Sequence, residues 1–137
     1  MKLRVCLCVC AVLLTVSAAG FADEITDQYS MLMKPAAAAN MALQRVMGTD
    51  LAAAASNAAE LQAAFAKIEA FWTQRGTADA MQFAKNVQAV AKEVQDAATA
   101  GNQDATVAAA RRIAANCAGC HMAHRERLPD GSFLLKP

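Results

Sequence analysis

A chain of 137 residues has room for one domain, and its 13 basic and 12 acidic residues are spread without a block of like charge. With no basic patch carrying interleaved aromatics, nucleic acid is not an expected partner. Five cysteines are present, but Cys6, Cys8 and Cys10 crowd the first ten residues.

Residues 1–22 read as a secretory signal peptide. Lys2 and Arg4 supply the charged start and residues 5–16 the apolar run, with Ser17-Ala18-Ala19 or Gly20-Phe21-Ala22 as the small-residue cleavage site. That run is too short to span a bilayer well and no second hydrophobic segment follows, so stable membrane insertion is not expected. Arg4, two residues before Cys6, fits badly in a lipoprotein signal. The expected location is the periplasm or another exported compartment, with residues 23–137 as the mature domain. Removing Lys2 and Arg4 takes the basic residues to 11 against 12 acidic ones, a net charge of −1. Cys117 and Cys120 are then the two remaining cysteines, and none is spare for a structural disulfide.

Gly48, Gly76 and Gly101 punctuate the mature sequence at nearly even intervals, each placed to end a helix in a left-handed conformation. Thr49 or Asp50, Thr77 and Asn102 follow them as N-cap residues. Four helical stretches with very short connections must run antiparallel. The fold class expected is therefore all-α, an up-down-up-down four-helix bundle.

In the first stretch, from about residue 25 to 47, Ile25, Tyr29, Leu32, Ala36, Ala39, Leu43 and Val46 recur in steps of three and four. Pro35 interrupts it, removing a backbone donor, so the helix either kinks there or begins near it. The unbroken periodicity favours the kink. Leu51, Ala54, Ala58, Leu61, Phe65, Ile68 and Trp72 keep the spacing in the second stretch. Ala80, Phe83, Val87, Val90, Val94 and Ala97 keep it in the third. In the fourth it runs through Val107, Ala110, Ala114, Cys117, His121 and His124, pointing His121 inward. These stripes are core positions. Their many alanines leave little side-chain volume at native packing density, which a large flat cofactor would fill. Pro129-Asp130-Gly131 marks a turn that stops the helix after Arg127, leaving a short tail to fold back.

Cys117-Ala118-Gly119-Cys120-His121 carries the chemistry. A histidine directly after a CxxC pair reads as a c-type haem attachment site. On a helix the thiols project from one face, able to reach two neighbouring substituents of a rigid planar ligand, and His121 shares that face with Cys117. A Cys2His2 zinc set of Cys117, Cys120, His121 and His124 is disfavoured. A helix separates Cys117 from His124 by roughly 10 Å, whereas zinc needs its donors within about 2.0 to 2.3 Å of one point. A thioredoxin-type dithiol would need a βαβ setting that is not visible.

With CxxCH near the end of a four-helix chain and Arg125 four residues past the histidine, the sequence resembles the cytochrome c-prime type of class II c-type cytochromes. The helix pattern covers most of the mature chain, while residues 117–125 alone are motif-specific. The resemblance implies an antiparallel bundle enclosing one covalently bound haem c. It makes Cys117 and Cys120 the thioether cysteines, His121 the proximal iron ligand and Arg125 the proximal-side arginine. Three features depart from the pattern: His124 replaces the usual aromatic residue, the first helix lacks the customary Arg-Gln pair, and the tail is longer. The reading given to His124 is a partly exposed residue beside the ligand.

In this family the distal side divides function. Low-spin members supply a first-helix methionine and transfer electrons, and Leu32-Met33-Lys34 resembles that segment, with Met31 the rival. Met33 is thus the expected sixth ligand, against the ordinary reading of a bundle methionine as core. The function expected is an exported electron carrier with His/Met-ligated haem c, serving redox partner proteins. The alternative is a five-coordinate, cytochrome c-prime-like protein that binds nitric oxide or carbon monoxide. No nucleophile, base and orienting group come together in the sequence, so an enzyme is not expected. A homodimer stays open.

Overall fold

The computed structural model describes the backbone of residues 2–136 and the side chains of residues 23–136. The expected signal peptide, residues 1–22, lies outside the fully described residues. Four helices, α1 (Lys2–Val46), α2 (Leu51–Arg75), α3 (Ala78–Thr99) and α4 (Gln103–His124), precede two short strands, β1 (Arg125–Arg127) and β2 (Phe133–Leu135). Among the described residues no helix is long and apolar enough to cross a membrane.

The connections follow from capping chemistry. Asp50 accepts from Ala53 N at 2.9 Å and opens α2, while Asn102 accepts from Ala105 N at 3.0 Å and opens α4. Thr77 opens α3 with no side-chain cap bond. Gly76 ends α2 at φ 68°, a left-handed setting that favours glycine, and Gly101 follows α3 at φ 75°. Gly48, expected to do the same, does not take a positive φ. Its turn instead closes through Thr49 N and Asp50 N, which both donate to Val46 O.

Cross-links between helices fix their directions. Gln62 donates to Gln95 and Gln88 to Glu69, so α2 and α3 run antiparallel. Arg112 pairs with Glu93 and His124 with Asp79, which sets α4 antiparallel to α3. Gln44 Nε2 on α1 reaches the Ala110 carbonyl on α4 at 3.3 Å. α1 is continuous through Pro35, which sets aside a start near that residue.

Of the 21 buried hydrophobic residues among those described, 11 are alanine, so the helices approach closely and the larger side chains decide the packing. Leu43, Leu61, Ile68, Trp72, Val87, Val94 and Ile113 are fully buried. The expected stripes of α1 and α2 face this core; on α3 Ala80, Val87, Val90 and Val94 do, whereas Phe83 and Ala97 are half-buried and Ala84, Ala91 and Ala98 are buried instead. On α4 the buried set is Thr106, Ala109, Ala110, Ile113 and His124, whereas Val107, Cys117 and His121 are half-buried and Ala114 is exposed. The helix is turned by about one position from the expected stripe.

α4 stops at His124, three residues short of the expected end, because Arg125 leaves the helix at φ −131° and ψ 123°. Arg125, Glu126 and Arg127 pair antiparallel with Leu135, Leu134 and Phe133. Asp130 organises the turn by accepting from Ser132 N and Ser132 Oγ. The tail folds back as expected, but as a hairpin, and Leu135 N donates to Thr26 Oγ1 of α1 at 3.2 Å.

If Asp50 is the working cap that its hydrogen bond indicates, Asp50→Ala should cost about 1 kcal/mol of stability, and Thr77→Ala less than about 0.5 kcal/mol. Urea midpoints with unchanged m-values read the difference, and equal losses would contradict the assignment.

Candidate functional site

α1 and α4 meet near Gln44 and Ala110, and the β2 strand ties onto α1 at Thr26. Between these ties lies a cavity of about 420 Å³ lined from α1 by Thr26, Asp27, Tyr29, Ser30, Met33 and Ala37. Cys120, His121 and His124 line it from α4, and Arg125, Phe133, Leu134 and Leu135 from the hairpin. A narrow crevice shares Tyr29, Met33, Cys120 and His121 with it and adds Cys117, Phe65, Ile68 and Phe83. Cys117, Cys120, His121, Arg125 and Met33, the residues singled out in the sequence, therefore border one connected space.

Both thiols are free and half-buried, and burial pushes their pKa values up, so they stay protonated near neutral pH. The Tyr29 hydroxyl interacts with the Cys120 thiol. Burial also drives that hydroxyl well above the ordinary phenol range. Burial lowers the His121 pKa, and the Arg125 charge lowers it further. Its imidazole is thus neutral at pH 7, with a lone pair available to a metal.

His124 has a different fate from the one expected. It is 5% exposed rather than partly exposed, with its ring centroid 5.0 Å from that of Trp72. Its Nε2 donates to Asp79 Oδ2 at 3.0 Å across the α3–α4 interface. Desolvation works upward on Asp79, but the Ala80 N–H and His124 outweigh it and hold the carboxyl below its usual range. An ionised carboxylate accepts, which leaves His124 Nδ1 buried without a hydrogen-bond partner, as is Trp72 Nε1. Engaged in this way, His124 cannot join His121 in a Cys2His2 set. Among the described residues no three His, Cys, Asp or Glu side chains are disposed to hold a metal ion by themselves.

The two candidate methionines separate cleanly. Met33 is half-buried against the core and lines the cavity, whereas Met31 is 68% exposed. Two residues apart on a helix point about 200° apart, so only one of them can face α4. Arg125 lies on β1, its guanidinium 3.3 Å above the centre of the Phe133 ring, a cation–π contact that walls the cavity's hairpin end.

Several site residues escaped sequence reasoning. Tyr29, Phe71 and Trp72 form a ring cluster with centroids 5.0 to 5.3 Å apart, which backs the cavity together with His124. Asp79 sits in the first turn of α3, which lies beside the last turn of α4 in an antiparallel pair; that neighbourhood was the available signal. Gly119 also matters, because a Cβ there would stand 2.6 Å from Phe83 Cε1. Phe83 therefore packs directly on the backbone between the two cysteines.

Comparison with protein-family models, with curated proteins and with solved structures finds no match for this chain.

Gly119→Ala sets about 1 kcal/mol of helix propensity gained against overpacking of about 1 to 3 kcal/mol. The variant should lose up to about 2 kcal/mol. Made in a Phe83→Ala background, the same change should stabilise, by up to about 1 kcal/mol. Urea unfolding of the four proteins of this cycle gives the sign directly, and a loss in both backgrounds would refute the close-packing account.

Proposed function

We propose that this chain is an exported c-type cytochrome, similar to the cytochrome c-prime type, that carries single electrons on one covalently bound haem c. One observation carries the reading: Met33 of α1 lines the same cavity as Cys120 and His121 of α4, with Cys117 in the adjoining crevice. The donor set fits that cofactor. Two protonated thiols are close enough on one helix to hold neighbouring vinyl substituents as thioethers, and a neutral imidazole stands beside them. A His/Met-ligated haem iron would supply a one-electron couple whose coordination need not change with oxidation state.

The chain's own residues define what that couple would experience. Tyr29, Phe71 and Trp72 pack the inner wall and exclude water from it, since Trp72 is fully buried and Phe71 nearly so. The Asp79–His124 pair locks the last turn of α4 to α3, and so holds the helix face that carries His121. Pro35, two residues after Met33, leaves the Met31 carbonyl without its helical donor, giving this turn of α1 room to adjust. A soft thioether from Met33 would favour a low-spin centre with a raised potential and would keep small gases from the sixth position.

Two measurements test this. Acidified organic solvent should leave haem on the wild-type protein and strip it from a Cys117→Ala/Cys120→Ala variant; equal extraction from both would end the attachment reading. Ferrous wild-type protein should be low-spin and bind carbon monoxide slowly or poorly, whereas Met33→Ala should bind it readily. A high-spin wild type that binds the gas freely, unchanged by Met33→Ala, would support a five-coordinate gas-binding protein instead.

A further inference from the structure

Among the described residues the exposed large apolar side chains, Met31, Met41, Met122 and Phe133, lie on α1, α4 and β2, the elements that enclose the cavity. The charges divide along the same line. On α2 and α3, Lys85 pairs with Glu69 and Lys92 with Asp96, and Arg75 stacks on Phe71 as Arg125 does on Phe133. Lys67 has no carboxylate partner among the described residues, but Glu60, Glu69, Asp79, Glu93 and Asp96 outnumber the four cations of these two helices. On the other side, Lys34 and Arg45 of α1, Arg111 of α4 and Arg125 have no carboxylate partner among the described residues. Between residues 27 and 45 and between 107 and 125, Asp27 is the one acidic residue.

Helix geometry gathers these groups. Arg111, Ala115, Ala118 and Met122, in steps of four, three and four, form one exposed stripe along α4. Lys34, Ala38, Met41 and Arg45 form the equivalent exposed stripe on α1. The Gln44–Ala110 contact sets the antiparallel register. Arg45 therefore stands level with the turn of Arg111, and Lys34, ten residues back, is level with the turn of Cys120. Met122, 75% exposed, sits next to His121 in sequence on the outer flank of the motif.

We infer that this α1–α4 face, with Met122 and Ala118 at its centre and Lys34, Arg45, Arg111 and Arg125 around it, docks an acidic redox protein. The inference rests on the electron-carrier reading and names its partner. A short-lived redox complex needs a small apolar contact for close approach and a charged rim for steering. Both are found here, on the flank where α4 is bare outside the motif. α2 and α3 cover the far side of the molecule, where acids outnumber bases, and an electron leaving there would have to cross the whole bundle. Carboxylates on the partner are the complement to cations left without acids of their own.

The test uses the haem-loaded protein and ferricyanide, a multivalent anion standing in for a carboxylate-rich surface, which takes one electron from the reduced protein. At low ionic strength Lys34→Glu/Arg111→Glu should slow this reaction roughly tenfold and flatten its salt dependence. Lys67→Glu/Lys92→Glu, with the same change of net charge on α2 and α3, should slow it less than about threefold. Equal slowing by both pairs, or none by either, would overturn the docking face. Sedimentation of the wild type, but not of Lys34→Glu/Arg111→Glu, with phosphatidylglycerol vesicles would reassign the face to a lipid surface and also overturn it. A protein that carries no haem would remove the carrier reading and this one together, while a loaded protein with no charge preference would sink this one alone.

Discussion

The structure depends on how its first and last helices are held together. α1 joins α2, α2 joins α3 and α3 joins α4 through connections of a few residues, which force each pair into contact along its length. No connection serves α1 and α4. At one end Gln44 bonds the Ala110 carbonyl and Gln103 bonds the Gly48 carbonyl. At the other end the hairpin reaches over, and Leu135 N bonds Thr26 Oγ1. Between these ties the side chains do not fill the gap, so the cavity follows from connectivity and composition together. The rings of Tyr29, Phe71 and Trp72 and the motif lie toward the hairpin end of that gap.

That arrangement explains which parts of the fold could be read in advance. α2 and α3 each have a neighbour in sequence on both sides, so their stripes in steps of three and four come close to the burial seen. They depart from it on α3 at Phe83 and Ala97, where Ala84, Ala91 and Ala98 are buried instead. α4 has two partly apolar stripes that share Ala110 and Cys117. One runs through Thr106, Ile113 and His124 into the core. The other runs through Val107, Ala114 and His121 toward α1, where Val107 and His121 are half-buried and Ala114 is exposed. Spacing alone cannot rank the two, because the choice depends on which neighbour is missing. The hairpin was legible only at its turn: three-residue strands such as Arg125–Arg127 are too short to carry a period.

The division of labour between the two histidines is likewise tertiary. His121 and His124 are chemically identical and one helical turn apart, and the sequence separated them only by adjacency to Cys120. In the fold the separation is electrostatic. Asp79, 45 residues away, accepts a hydrogen bond from His124 Nε2–H, and Trp72 covers its ring. His121 keeps a neutral ring on the cavity wall because burial and the Arg125 charge both oppose its protonation. The same logic distinguishes Met33 from Met31, since once one face of α1 is set by Ala36, Ala39 and Leu43, only Met33 can reach the cavity.

The rotation of α4 then becomes the variable on which the site turns. Rotating the helix by one residue, about 100°, would take Cys120 and His121 off the cavity wall and Cys117 out of the adjoining crevice. Two contacts on its α3 side oppose such a rotation. Near the motif's centre the Phe83 ring occupies the place that a side chain at 119 would need, so the helix can lie this close to α3 only with glycine there. One turn later the His124–Asp79 bond fixes the angle at the helix end. Glycine weakens an isolated helix by about 1 kcal/mol relative to alanine. Its position inside the CxxCH segment is therefore intelligible from packing: the local cost is set against a contact with α3 that aims both thiols and the imidazole at α1.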